Sequence, residues 1–244
     1  MRNIGKPKLE VCLSPALLHL YDTNNAVVVI IDVFRATSTI TTALHNGAEC
    51  VIPTATVAEC IDLGHKLGNS ITAGERDGKV AEGLQFGNSP LDFPPSFVSG
   101  KTLILTTTNG TRLLHMIRGA AEIVIGSFLN LTVLCDYIKA TGRNVLLGCA
   151  SWKDRVNMED TLFAGAIVRR VQGSFSVNCD SALMAAHLFD IAQQEPLINF
   201  LRDSSHYQRL AAFGLEEDMA YCVTTDLHPV VPVLRGDKIV GFSS

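Results

Sequence analysis

Apolar residues follow two rhythms along this chain. Ala26–Ile31 (AVVVII) is continuous and β-branched, the pattern of a strand buried on both faces in a parallel sheet. Cys50–Ile52, Ser70–Ala73, Thr102–Leu105, Glu122–Ile125 and Asn144–Leu147 read as further strands. Helical spacing fills the gaps between them. It covers Ile40–Leu44, stopped by Asn46-Gly47, and Val57–Leu67, stopped by Gly68-Asn69. It returns over Gly110–Ile117, Leu129–Ala140 and Asp160–Val171, the last opened by Asn157 and stopped near Gly173. Asp180–Gln194 is amphipathic with Asp180 at the N-cap position, and helical segments continue to Phe213. Val230–Leu234 and Lys238–Gly241 are extended.

Strand and helix in alternation predict a three-layer α/β/α sandwich with a mostly parallel or mixed central sheet. The 244 residues suit a single α/β domain over 1–244, built as one unit or as two βα-rich lobes of about 1–100 and 101–244. Asp77–Gly100 is rich in glycine and proline and shows no element of its own. So long a connection in a compact domain is usually a functional loop or lid.

Composition narrows the partners. Twenty basic against 24 acidic residues leave a net charge of −4, so nucleic acid is not expected and any anion must be held by local donors. Met1–Glu10 is polar and basic with no apolar stretch behind it, and Ala26–Ile31 is far too short to span a bilayer. A membrane is therefore not expected either. The seven cysteines, Cys12, Cys50, Cys60, Cys135, Cys149, Cys179 and Cys222, form no C-x-x-C pair. They read as small buried hydrophobes in a reducing, cytoplasmic compartment.

In parallel sheets, ligands bind beyond the carboxyl ends of the strands. Two polar loops occupy that place. Asp32–Thr39 joins Asp32 and Arg35 to Thr37, Ser38 and Thr39, where a helix should begin. Arg35 offers a planar fork for phosphate, sulfonate or carboxylate, and hydroxyls at a helix start can face an anion. The plain alternative is a Ser or Thr cap with Arg35 paired to Asp32. Thr106–Arg112 repeats the theme with Thr107, Thr108, Asn109, Gly110, Thr111 and Arg112. Alone it could be a Thr-rich strand with an Asn-Gly turn; two such loops suggest two cradles for a ligand with two anionic groups.

Other candidates are weaker. Glu75 and Arg76 follow a strand, and Asn88 and Ser89 could close over a ligand from the long loop. Ser127 and Asn130 could donate hydrogen bonds, although Ser127 as a helix cap explains that stretch as well. Glu159 and Asp160 could bind Mg²⁺, which asks for one or two protein carboxylates. Asn157 with Asp160 three residues on is equally a capping arrangement. No zinc pattern, G-x-S-x-G elbow, GxxxxGK[ST] or GxGxxG is present, so neither a nucleotide nor a serine hydrolase is favoured.

At these residues the chain resembles the 2-phosphosulfolactate phosphatases of coenzyme M biosynthesis. The matching strings are Val29–Ile40, Ala73–Arg76, Phe86–Pro90, Leu105–Thr111, Gly126–Asn130, Glu159-Asp160 and Glu217–Cys222. Phe34 stands where the family usually has Leu, and Ser151–Asp154 replaces a glycine-richer stretch. The resemblance implies a three-layer α/β fold and a Mg²⁺-dependent phosphatase yielding 3-sulfolactate. On that basis Asp32, with Glu75, Glu159 or Asp160, would hold the metal. Arg35 and Arg112 would neutralise phosphate oxygens, and the hydroxyl, amide and arginine side chains named above would bind the substrate. The attacking oxygen belongs either to an activated water or to Asp32. The rivals are a non-catalytic binder of a small phospho- or sulfo-acid and a phosphatase for another phospho-acid. The expected partner is a small phospho-acid, with a homodimer left open.

Overall fold

The computed structural model describes residues 5–242 except 77, 108–112, 114, 115 and 118. Ten strands form one sheet: β1 (Leu9–Cys12), β2 (Val27–Ile31), β3 (Cys50–Pro53), β4 (Ser70–Arg76), β5 (Lys79–Val80), β6 (Thr102–Thr106), β7 (Glu122–Gly126), β8 (Val145–Cys149), β9 (Val231–Arg235) and β10 (Lys238–Phe242). Their order is β1-β8-β2-β7-β9-β10-β3-β6-β4-β5. The first four make one parallel block, and β3, β6 and β4 make a second. The antiparallel β9–β10 hairpin lies between the blocks. Its outer seams are thin: Val124 pairs Val233 on one side, and Ile239 pairs Val51 on the other.

The described helices are α1 (Ala36–His45), α2 (Val57–Lys66), α3 (Pro95–Val98), α4 (Leu131–Thr141), α5 (Met158–Arg170), α6 (Asp180–Ala192), α7 (Leu197–Phe200), α8 (Ser205–Ala211) and α9 (Glu216–Cys222). The alternation of strand side chains sorts them into two cores. Val27, Val29 and Ile31 face a core shared with α4, α5, α6 and α8. Val28 and Ile30 face a second core shared with α1 and with Val51, Ile71, Leu103 and Leu105 of the other block. The architecture is thus an α/β sandwich on a mixed sheet, as the sequence rhythm predicts.

The main departures lie where the local signal is weak. β1 begins within the segment read as a polar N-terminus and runs two residues past it, and α9 follows the point where helical spacing fades. The 77–100 stretch holds β5, a short 3₁₀ turn over Pro90–Asp92 and α3. Cys179, not Asp180, is the N-cap of α6, leaving Asp180 in its first turn. α5 and α6 pack so closely that a Cβ at Gly165 would fall 2.0 Å from the Ala185 carbonyl oxygen. Among the described residues no helix is long and apolar enough to cross a membrane.

Candidate active site

The blocks run in opposite senses across the hairpin, yet residues at or just past the carboxyl ends of β2, β4, β6 and β8 share one site. Residues from all four line one cavity of about 170 Å³. Asp32, Phe34 and Arg35 come from the end of β2, and Glu75 and Gly78 from the β4–β5 turn. Asn88 and Thr107 follow from the long loop and the end of β6, Trp152 from beyond β8, and His206, Arg209, Leu210 and Phe213 from α8 and its end.

The first polar loop is built tightly. Thr37 N donates to the Asp32 carbonyl at 3.0 Å, and Asp32 N donates to Thr37 Oγ1 at 3.2 Å. Ser38 Oγ donates to the Val33 carbonyl at 2.9 Å, and Thr39 Oγ1 to the Asn88 carbonyl at 2.6 Å. These three hydroxyls are buried and spent on backbone partners, Thr37 and Ser38 within the loop and Thr39 on Asn88; none lines the cavity. Their effect is to fix Asp32 and Arg35 at the cavity wall. The Phe34–Arg35 peptide is cis. Arg35 pairs with Asp218 of α9 in a buried salt bridge. Ser89 Oγ donates to the second Asp218 oxygen at 2.8 Å.

Glu75 Oε2 accepts from Gly78 N at 3.1 Å, which keeps its carboxylate in the turn that meets the cavity. Arg76 turns to the Glu75 carbonyl and, at 3.2 Å, to Thr106 Oγ1, outside the cavity lining. Ser127 and Asn130 close a capping box, and Asn130 Nδ2 also donates to the Val230 carbonyl at 3.0 Å. That pair ties α4 to the start of β9, away from the cavity. Thr108, Asn109, Gly110, Thr111 and Arg112 lie outside the described residues, as does much of the predicted 110–117 helix.

Glu159 and Asp160 are fully buried at the start of α5. Asn157 is the N-cap but forms no capping bond with its side chain. Instead Asp160 accepts from Val33 N at 2.9 Å and Ser151 N at 3.4 Å, clamping the ends of β2 and β8 together. Burial, followed by repulsion from Glu159 and Asp32, holds the Asp160 carboxyl well above the usual range. Glu159 Oε1 meets His206 Nδ1 at 2.6 Å, while Glu159 Oε2 is buried with no hydrogen-bond partner among the described residues.

The α8 wall escaped the sequence reading. Its signal was present: His206, Arg209, Leu210 and Phe213 are spaced i, i+3, i+4, i+7, one face of a helix. Trp152, the single tryptophan, has the Arg209 guanidinium 3.8 Å and the Lys153 ammonium 4.6 Å from its ring centre. Both are cation–π distances. Ser151, Lys153 and Asp154 adopt φ of 56, 50 and 63°, the left-handed region that a glycine-richer stretch would enter freely.

A metal can be tested against these donors. Among the described residues no group of three or more His, Cys, Asp and Glu converges into a cage. Magnesium does not need one, since one or two carboxylates and substrate oxygens suffice. Asp32 and Glu75 both line the cavity, joined by Asn88, whose Oδ1 is buried with no hydrogen-bond partner among the described residues. That all-oxygen set fits a hard cation. The thiols offer no competing chemistry. Burial pushes Cys12 to about 11 and Cys135 and Cys222 to about 12, and Cys149 well above its ordinary value.

Residues 12–237 match the family model described as 2-phosphosulpholactate phosphatase. A Thermotoga maritima protein named "Probable 2-phosphosulfolactate phosphatase" is 41% identical over 206 residues, 84% of this chain and 88% of that protein. Proteins of the same name from Caldanaerobacter subterraneus subsp. tengcongensis and Clostridium acetobutylicum are 35% and 33% identical. They cover 89% and 96% of this chain, and 95% and 100% of their own lengths.

Proposed function

The chain belongs to the 2-phosphosulpholactate phosphatase family, and from that premise we propose that it hydrolyses 2-phospho-3-sulfolactate to 3-sulfolactate and phosphate, with Mg²⁺ as cofactor. One observation supports this reading above the others. A single small cavity sets the carboxylates of Asp32 and Glu75 beside the guanidinium groups of Arg35 and Arg209. Acids to hold a cation and cations to hold an anion are what a phosphate monoester requires. The cavity volume suits a small acid rather than a dinucleotide. Seven free thiols suit a reducing, cytoplasmic setting.

Each residue has a distinct task. Asp32 and Glu75, with the Asn88 carbonyl oxygen, would hold Mg²⁺, which when bound neutralises phosphate oxygens. Arg35 is half-neutralised by Asp218, so it orients an anion more than it attracts one. Arg209 sits over the Trp152 ring, and its NH2 is buried with no hydrogen-bond partner among the described residues. It is placed to take the sulfonate or carboxylate end. Thr107 adds a hydroxyl, and Phe34, Leu210 and Phe213 exclude water.

The test is phosphate release from a panel of phospho-acids, with Mg²⁺ and with chelator. Metal-dependent release, with 2-phospho-3-sulfolactate the best substrate, is expected. Release from no substrate would leave a binding protein, and preference for another ester would reassign the substrate. Asp32→Asn should abolish turnover while keeping the fold. Rapid quench then separates the two attackers, because a trapped phospho-aspartyl enzyme requires Asp32 as nucleophile.

A further inference from the structure

Expelling an alkoxide from a phosphate monoester is the demanding part of this reaction, because the leaving group is a strong base. A proton delivered as the bond breaks removes that demand. The cavity contains one side chain built for it. His206 lines the cavity from α8, and its Nδ1 is held by Glu159 Oε1 at 2.6 Å. Its ring stands edge-on to Phe34, with centroids 6.0 Å apart. Two contacts on two sides fix the plane of the imidazole and leave Nε2 for the cavity. A carboxylate behind a histidine selects the tautomer and steadies the charged ring.

We propose that His206 is the general acid for the departing alcohol and that Glu159 is its positioning residue. This rests on the hydrolase reading above. In the step, the bond between phosphorus and the ester oxygen breaks and its electron pair stays on that oxygen. The proton on His206 Nε2 passes to it, giving the neutral alcohol. The phosphoryl group passes to the attacking oxygen, and the proton later shed by the phosphate product restores the imidazolium. Glu159 is buried in full, and among the described residues its carboxylate hydrogen-bonds His206 alone. It balances the ring's charge before transfer. Arg209, three residues on, lines the same cavity.

The experiment compares esters that differ in their need for a proton. Wild type, His206→Asn and Glu159→Gln are assayed with Mg²⁺ on 2-phospholactate, its 3,3,3-trifluoro analogue and p-nitrophenyl phosphate. General acid catalysis contributes about 100- to 10,000-fold. His206→Asn should therefore lose about 100-fold or more in kcat on 2-phospholactate, less on the trifluoro ester, and almost nothing on the aryl ester. Glu159→Gln, which keeps an oxygen facing Nδ1, should show the same order with smaller losses. Intact aryl esterase activity also certifies the fold. Equal losses on every ester that wild type hydrolyses, or no loss on 2-phospholactate, would overturn the assignment. Wild type inert on all three and on 2-phospho-3-sulfolactate would instead overturn the hydrolase reading, and this one with it.

Discussion

Replacing Asp218 by Asn keeps the shape of the side chain and removes its charge. Arg35 and Asp218 are 4% and 8% exposed and lie 183 residues apart in sequence. Removing one partner of a buried pair costs about 3–5 kcal/mol, because the other charge stays behind. Two features of the structure set the low end of that range. Arg35 borders the cavity, so water can reach part of it, and Asn can still accept the Ser89 hydroxyl. The expected loss is therefore about 3 kcal/mol, or roughly 6–12 °C in melting temperature for a chain of this size. Urea unfolding should show a lower midpoint at unchanged slope. The double variant Arg35→Met with Asp218→Leu should recover most of the loss, since neither charge is then buried. A single variant melting within about 2 °C of wild type would refute the reasoning, as would a double variant showing the simple sum of the two losses.

Two further outcomes follow from packing and titration. Gly165→Ala aims a methyl at the Ala185 carbonyl, which cannot rotate away. The overpacking cost of about 1–3 kcal/mol should exceed the roughly 1 kcal/mol gained in helix propensity, lowering the urea midpoint; a variant as stable as wild type would sink this account. His228 is pushed down to about 4 by burial and by His45, stacked with ring centroids 4.2 Å apart. The folded value lies below the unfolded value of about 6.5, so between them the unfolded chain binds the extra proton. This contribution to stability is present in full above pH 6.5 or so and is lost as pH falls toward about 4. His228→Gln should flatten that stretch of the urea-midpoint profile, and an unchanged profile would count against it.

The sequence shows the site best where the chain itself draws the boundary. Asp32 and Glu75 stand at the ends of apolar strands, and a change from buried to polar is local information. Thr37, Ser38 and Thr39 stand in the same loop as Asp32, yet their hydroxyls bond backbone groups rather than line the cavity. Residue type names a donor but not the direction it faces. The Arg35–Asp218 pair and the His206–Glu159 pair join distant segments, and no spacing rule relates them. Strand alternation likewise tells which face is buried but not which strands are neighbours. The insertion of β9 and β10 between the two blocks was therefore invisible in sequence.

That insertion makes one segment responsible for two sheet edges. β7 and β3 each need a hairpin strand on one flank, and both hairpin strands lie in the last stretch of the chain. Without Val231–Phe242 the inner edges of both parallel blocks, β7 and β3, would be bare. Such edges invite pairing with other chains. The one hairpin closes both at once. A variant in which the hairpin detaches would therefore expose two edges together, one on each block.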